Sequence, residues 1–413
     1  MRLQIKAIVV LFIISFLIDW YVYLDIRRYS RRRLWSRLYL VSSVMCWALL
    51  AAITVMPKRG EGSIIPLMWM LYAYISIYLP KIIYVIFSLI GRIPRLWKRK
   101  RVRLGLYVGL PLALISFGVI WWGAVSGRRA IGLNEIEIVS EKLPPAFDGY
   151  RIVQFSDAHV GTWGNDTTFI SDLVDSINSL NPDMIVFTGD IVNRSTSEIY
   201  PFVKPLSRLR AKDGVYSIMG NHDYGDYKDW PTPEDRQRNI DELHRVQRAM
   251  GWNILDNDHL FVRSQSDSIV LIGVENWGEP PFHQYGKLGE AYPYSAGSPD
   301  NLNDGKFKIL LTHNPEHWRQ EVAEKTNVDL TLSGHTHAMQ FIMKLGSWRW
   351  SPAKYIYQQW SGLYEKRAQG GQQVRIYVNI GCGEVGMPFR IGADPEITLI
   401  VLRSAENGSS RVR

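Results

Sequence analysis

Four long apolar stretches crowd the first third of the chain, and they limit what it can become more than any other feature of the sequence. Ala7 to Leu24, Leu38 to Met56, Ile64 to Ile90 and Leu104 to Val125 each reach the length of about 20 residues that a helix needs to cross a hydrocarbon layer roughly 30 Å thick. The first could instead be a secretory signal peptide, because Arg2 and Lys6 precede its apolar core. No small-residue cleavage site follows Leu17, however, and Asp19, Trp20, Tyr21 and Tyr23 form the amphipathic collar expected near a membrane surface. The sequence therefore predicts four membrane helices within a membrane region over residues 1–130.

Basic residues predict the orientation, since short loops rich in Lys and Arg stay on the cytoplasmic side. Arg27, Arg28, Arg31, Arg32, Arg33 and Arg37 lie between the first two spans, and Arg92, Arg95, Lys98, Arg99, Lys100, Arg101 and Arg103 between the last two. The loop Pro57 to Gly62 carries only Lys58 and Arg59 against Glu61. The N-terminus, that loop and everything after Val125 are thus expected outside, on the periplasmic or outer face of a cell inner membrane. The same two basic loops account for most of the formal charge of +9 and predict contact with anionic lipid heads rather than nucleic acid. Pro80-Lys81 interrupts the third span, where an ammonium group is costly unless it is paired or snorkels to an interface. Asp19 is the candidate partner. Cys46 and Cys382 are too far apart in character to form a disulfide, which suits a bacterial periplasm or cell surface without requiring it.

From about Ile131 short apolar runs alternate with helical stretches, and residues 131–413 read as one domain. Ile152 to Phe155, Met184 to Phe187, Val215 to Met219, Ile269 to Val274, Ile309 to Leu311, Leu330 to Leu332 and Ile376 to Asn379 read as buried strands. Thr168 to Leu180 and Pro233 to Met250 read as helices, the second opening on acidic residues suited to a helix N-terminus. Such alternation predicts an α/β layered sheet.

Five polar blocks each begin where a predicted strand ends: Ser156-Asp157-Ala158-His159, Thr188-Gly189-Asp190, Gly220-Asn221-His222-Asp223, Leu311-Thr312-His313-Asn314 and Ser333-Gly334-His335-Thr336-His337. Ligands of layered α/β sheets gather outside the carboxyl ends of strands, so the blocks are expected to converge. Any one of these histidines could be a satisfied core or turn residue, but an ordered set with two carboxylates argues for a site. Asp157, His159, Asp190, Asn221, His313, His335 and His337 supply carboxylate, amide and imidazole with no thiolate. That mixture suits two borderline divalent ions of the manganese, iron, zinc or cobalt type. Two ions about 3.5 to 4 Å apart need a bridging carboxylate, for which Asp190 is the choice, and a shared hydroxide becomes the nucleophile. His244, His259, His283 and His317 lack ligand spacing and read as surface residues.

The ordered blocks make the chain resemble the calcineurin-like metallophosphoesterases over Leu143 to Leu402. The resemblance implies an α/β/β/α sandwich of two sheets flanked by helices. It also implies that Asp157, His159, Asp190 and His337 hold one ion, and Asp190, Asn221, His313 and His335 the other. His222 matches the position facing the substrate phosphoryl group, and Asp223 the residue that orients it. Gly381-Cys382-Gly383, Gly386-Met387-Pro388-Phe389-Arg390, Pro395-Glu396-Ile397 and Ser361-Gly362-Leu363-Tyr364 resemble the C-terminal signature of the membrane-tethered bacterial branch. One departure stands out. Ala338-Met339 replace two glycines usual in that branch, which predicts a more crowded pocket floor.

Trp348, Trp350, Tyr355, Tyr357, Trp360 and Tyr364, laced with Lys344, Arg349 and Lys354, suit either packing or a membrane-water interface. The predicted function is a membrane-anchored phosphoesterase acting on a phosphoester, phosphodiester or pyrophosphate. The alternative is a membrane sensor or interaction protein whose phosphoesterase-like domain only binds, but such a domain is expected to lose ligands, and none is missing. A transporter is disfavoured, because the spans hold few charges beyond Asp19 and Lys81. Ser126 to Gly132 extend at most about 25 Å, so a lipid-linked or cell-envelope substrate is expected.

Overall fold

The computed structural model describes residues 2–30, 32–56, 59–60, 63–97, 100–280, 283–292, 305–368 and 371–405. Arg31, Pro57, Lys58, Glu61, Gly62, Lys98 and Arg99, used above in reading orientation, lie outside the described residues. The chain divides into two compact units, residues 1–126 with 386–389, and residues 127–385 with 390–413.

The first unit contains α1 (Arg2–Tyr29), α2 (Arg33–Val55), α3 (Ile65–Ile90) and α4 (Leu110–Val125), the last preceded by a π-helical turn over Gly105–Gly109. All four are long and apolar enough to cross a membrane. Two sequence expectations need correction. Helix α1 does not stop at Leu24 but runs on to Tyr29, where Asp25 is paired with Arg28, Arg92 and Arg101, and α2 starts at Arg33 rather than Leu38. Asp19 is no surface collar: it is buried, where it accepts from Lys81 Nζ at 2.7 Å, Tyr39 OH at 2.6 Å and Tyr78 OH at 2.7 Å. Lys81 is therefore paired as expected, and α3 continues as helix through Pro80.

The second unit begins with β1 (Gly132–Ser140), β2 (Arg151–Phe155), α5 (Thr168–Ser179), β3 (Met184–Phe187), α6 (Val203–Leu206), β4 (Val215–Ser217), α7 (Pro233–Ala249) and β5 (Trp252–Ile254). There follow β6 (Asp258–Ser264), β7 (Asp267–Gly273), β8 (Lys308–Leu311), β9 (Leu330–Ser333), a hairpin of β10 (Met343–Leu345) and β11 (Trp348–Trp350), then β12 (Gly362–Arg367), β13 (Gln373–Val378) and β14 (Glu396–Ser404). One sheet runs β1-β14-β2-β3-β4-β5 and the other β12-β13-β9-β8-β7-β6. Strands β2 to β5 are parallel to one another, as are β7, β8, β9 and β13.

The two-residue period of each strand sorts its side chains between layers. Ile152, Met184 and Val186 from the first sheet share a core with Ile269, Leu271, Ile309 and Leu330 from the second, so the sheets pack face to face. Their neighbours Val153, Phe155, Ile185 and Phe187 point the other way, onto Leu173 and Ile177 of α5 and Leu243 of α7. On the far side, Val270, Ile272 and Leu310 meet Trp318 and Val322 of a helical segment. The result is the four-layer α/β/β/α sandwich. Helix α7 opens with a capping box, Thr232 accepting from the Asp235 backbone N–H, which satisfies donors that a helix N-terminus leaves open.

Candidate metal centre

Strands β2, β3, β4, β8 and β9 deliver the five polar blocks to one edge of the sandwich, and the chain turns there through an unusual backbone. Asp157, His159, Asp190, His335 and His337 have φ of 53°, 41°, 62°, 77° and 48°, in the left-handed region that costs an L-residue roughly 1–2 kcal/mol. Cross-links between blocks hold them there. Asp157 N–H donates to Gly189 O at 2.9 Å, His159 N–H to Asp190 O at 3.2 Å, Gly334 N–H to His313 O at 3.0 Å and Gly383 N–H to Asp157 O at 2.7 Å. Gly189, at φ 96°, admits no side chain: a Cβ would lie 2.6 Å from Gly220 N and 2.8 Å from His313 Nδ1.

The side chains then converge. His337 Nε2 lies 3.2 Å from Asp157 Oδ1 and 3.1 Å from His159 Nε2, while His159 Nε2 is 3.6 Å from Asp190 Oδ2. On the other side of Asp190, His313 Nε2 lies 3.1 Å from Asp190 Oδ2, 3.1 Å from Asn221 Oδ1 and 3.2 Å from His335 Nδ1. Two groups able to hold a metal ion result, Asp157 with His159 and His337, and Asp190 with His313 and His335. Asp190 sits between them. A third grouping joins His159, Asp190 and His222. Every one of the seven sequence-predicted ligand residues is brought into this cluster.

The electrostatics suit cations. Burial opposes charge on Asp157, but the His337 ring beside it holds the carboxyl below its usual range. Asp190 is likewise held well down, its burial outweighed by His313 and then His222. Burial and then His313 drive His335 down to about 3, and burial and then His222 drive His159 well below the ordinary histidine range. Those imidazoles keep free lone pairs at neutral pH. His313 is the exception: despite burial, the Asp190 carboxylate lifts it to about 9. The facing nitrogens of His159 and His337 would repel unless a cation or proton lay between them, so the donor set fits metal ions. Cys382 supplies no thiolate, since burial pushes it up to about 12.

His222 Nδ1 lies 2.7 Å from the Asn193 carbonyl, which can only accept, so Nδ1 carries the hydrogen and Nε2 is free for other work. The orienting role expected of Asp223 therefore falls to Asn193. The Asp223 carboxylate instead takes four backbone N–H groups, from Asp190, Gly220, Ile191 and Val192. Burial and then the Asp190 charge push it up to about 7 against those donors. A further correction concerns His317, which is buried, stacked on Trp277 with centroids 5.5 Å apart and paired with Thr312 Oγ1 at 2.9 Å.

A cavity of about 390 Å³ opens over the cluster, and Tyr227, Asn276, Trp277, Ile356 and Tyr357 join Asp190, His222, His335 and His337 in lining it. Tyr227 stacks on His222 at 4.1 Å, and Tyr357 OH lies 3.1 Å from His335 Nε2. Neither Ala338 nor Met339 lines this cavity, so the crowding expected there is absent. The replacement of glycine is felt in the backbone, with φ of 47° and 48°. Arg390, fully buried, donates to the carbonyls of Gly383, Ala393 and Ile380, with Nη2 also 3.3 Å from His337 Nδ1.

Residues 150–339 match the family described as calcineurin-like phosphoesterase. The chain belongs to that family. Residues 1–128 match a family described as "Probable Calcineurin-like phosphoesterase, transmembrane domain". Among relatives, the "Transmembrane protein with metallophosphoesterase domain" of Danio rerio is 30% identical over 333 residues, which covers 78% of this chain and 70% of that protein. The "Uncharacterized metallophosphoesterase YkuE" of Bacillus subtilis is 33% identical over 301 residues, covering 71% of this chain and 92% of the relative. A metallophosphoesterase of Helicobacter pylori is 27% identical over 310 residues, covering 74% and 72%. The chain is thus a membrane protein and a hydrolase of phosphoester bonds, from a family whose members generally bind two divalent metals.

Proposed function

We propose that this protein hydrolyses a phosphodiester or pyrophosphate bond in a lipid-linked or cell-envelope molecule at the outer face of the bacterial inner membrane. Asp157, His159, Asp190 and His337 would hold one divalent ion, and Asp190, Asn221, His313 and His335 a second, of the manganese, iron, zinc or cobalt type. Bound there, the pair would supply Lewis-acid stabilisation and an activated water. The residues of the chain do the rest. Asp190 neutralises charge between the two donor groups, and its backbone is fixed by Asp223. His222, anchored through Nδ1 on Asn193, presents Nε2 for the leaving oxygen. Trp277, Ile356 and Tyr357 wall the cavity and keep bulk water from the reacting bond.

The observation that carries the choice of substrate is the surface beside that cavity. Leu345, Tyr355 and Ile356 are 76%, 74% and 62% exposed, and Met339, Met343 and Trp348 are exposed with them. An apolar patch of this kind, rimmed by polar residues, marks an interaction surface. Lys344, Arg349 and Lys354 interleave it, and Lys354 Nζ stands 5.2 Å from the Tyr355 ring, a pairing of cation and amphipathic aromatic suited to a membrane-water interface. Ile356 belongs to both the patch and the cavity, so an amphiphile resting its apolar part on the patch can place its phosphoester over the metal cluster.

The test compares full-length protein with Leu345→Ser/Tyr355→Ser in detergent and manganese, on a lipid-linked phosphodiester or pyrophosphate and a water-soluble one. The variant is expected to lose kcat/KM on the lipid-linked substrate while its turnover of the soluble one stays unchanged. Preference of the wild type for the soluble substrate, with no effect of the substitutions, would overturn the lipid reading.

A further inference from the structure

A second cavity lies wholly inside the membrane unit, about 850 Å³ in volume and walled by all four helices, among them Ile26, Tyr29, Leu38, Tyr84, Leu110 and Phe117. The volume is within the range of ligand sites. Leu38, Leu110 and Phe117 are themselves exposed on the bundle, so the cavity is a crevice open to whatever surrounds the helices. Its walls are mostly apolar, with Tyr39, Ser42 and the Asp19-paired Lys81 among them, and at Tyr29 the chemistry changes. The guanidinium carbons of Arg101 and Arg103 stand 5.4 and 5.6 Å from the Tyr29 ring centroid.

Those arginines belong to a cluster with too few acids. Asp25, fully buried, meets Arg92 at 2.8 Å, Arg101 at 3.1 Å and Arg28 at 3.3 Å, and accepts from Ser88 Oγ at 2.7 Å. One carboxylate thus serves three guanidiniums, with Arg103 close by. Among the described residues before residue 134, the only other acid is Asp19, which is committed to Lys81. The shortfall shows in the hydrogen bonding. The side chain of Arg101 is only 8% exposed, and its Nε, like the Nε of Arg92, is buried without a partner among the described residues. A buried charged donor left unmatched is costly, and an anion at this end of the crevice would remove that cost.

We infer that the membrane unit binds one anionic phospholipid, its phosphate on Arg101, Arg103 and Arg92 and an acyl chain in the crevice. A phosphate with an attached acyl chain is the chemistry that matches both halves of the site, since the crevice is mostly apolar with its Lys81 already matched by Asp19, and the arginines offer nothing to a neutral chain. Basic pockets between membrane helices hold lipid head groups in this way. The site is distinct from the metal centre and does not depend on the substrate proposed above.

The experiment uses full-length protein in detergent, titrated with phosphatidylglycerol, phosphatidylcholine or inorganic phosphate, and read by native mass spectrometry and by the thermal midpoint. Phosphatidylglycerol is expected to give a one-to-one adduct and raise the midpoint, with phosphatidylcholine weaker. Each of Arg101→Gln and Arg103→Gln should weaken the anionic lipid by about 5-fold. Arg103 makes no contact with Asp25, so its variant tests the site even where Arg101→Gln disturbs folding. Leu110→Trp, which fills the crevice, should weaken both lipids, and Arg95→Gln, an exposed arginine outside the cluster, neither. Equal binding of the two lipids, undiminished phosphatidylglycerol binding in Arg103→Gln, or a midpoint shift reproduced by inorganic phosphate alone would overturn the inference.

Discussion

Asp223→Asn is the most telling single substitution, because it changes the chemistry of one buried group and almost nothing of its shape. In the wild type Oδ2 accepts from Asp190 and Gly220 N–H at 2.8 and 2.9 Å, and Oδ1 from Ile191 and Val192 N–H at 2.9 and 3.2 Å. An asparagine keeps one accepting oxygen and turns the other into a donor, so two bonds are lost and an NH2 faces two N–H groups. Bonds to a charged group contribute about 1.5–3 kcal/mol each, which gives a gross loss of about 3–6 kcal/mol. The burial that lifts the carboxyl to about 7 works against its charge, so the net loss is smaller than this gross figure. In a domain of this size each kcal/mol moves the melting midpoint by about 2 °C or more. The full-length variant in detergent should therefore melt lower, because two buried N–H groups are left facing an NH2. Elemental analysis should show reduced metal, because the Asp190 backbone is no longer fixed. Asp223→Ala, which strands all four donors, should be worse than the asparagine. Equal effects of the two variants, or an asparagine variant with unchanged midpoint and metal, would refute the reasoning.

Four further outcomes are expected. Asp190→Asn removes the charge shared by both donor groups, so elemental analysis should show loss of both ions and activity should nearly vanish. His222→Ala should lower turnover by about 10² to 10⁴ with metal content intact; loss of metal would make His222 a ligand, as its place beside His159 and Asp190 allows. Met339→Gly removes a left-handed cost of roughly 1–2 kcal/mol against a glycine entropy cost of about 0.5–1 kcal/mol, so the midpoint should rise slightly. His244 lies 2.9 Å from Asp256, whose carboxylate raises its pKa; a raised histidine stabilises below its ordinary range and loses that effect as pH climbs, so His244→Gln should cost more stability near pH 5.5 than near pH 9.

The convergence of the seven candidate ligand residues was legible because strand ends are a geometric address: a polar block following a buried run lands on the same edge as its neighbours when the strands are parallel. Asn193, Tyr227, Trp277 and Tyr357 were not, since each reaches the site from a loop whose path no periodicity announces. His317 was misread for a related reason. Spacing along the chain carries no sign of a ring stacked on Trp277 across the fold. The membrane helices were legible in number, but the first two were read short at the ends facing each other, because hydropathy ignores the pairing that lets Asp25 and Arg28 lie within α1 and the exposure that lets Arg33 open α2.

The strained backbone and the unprotonated donors have one explanation. Five residues of the site sit at positive φ, and there His159 Nε2 faces His337 Nε2 at 3.1 Å and His335 Nδ1 faces His313 Nε2 at 3.2 Å. Two lone pairs 3.1 Å apart repel, and the arrangement holds only with a proton or a cation between them. A cation rewards it, and because a site this exact does not exist in an unfolded chain, metal binding adds its free energy to folding. With His159 and His335 held neutral and Asp157 and Asp190 held charged, ions meet donors that have few protons to release. His313, lifted by Asp190, must give one up. The strain is then the geometric cost of a site kept ready, borne by the cross-links from Gly189, Asp223 and Gly383 that join the blocks.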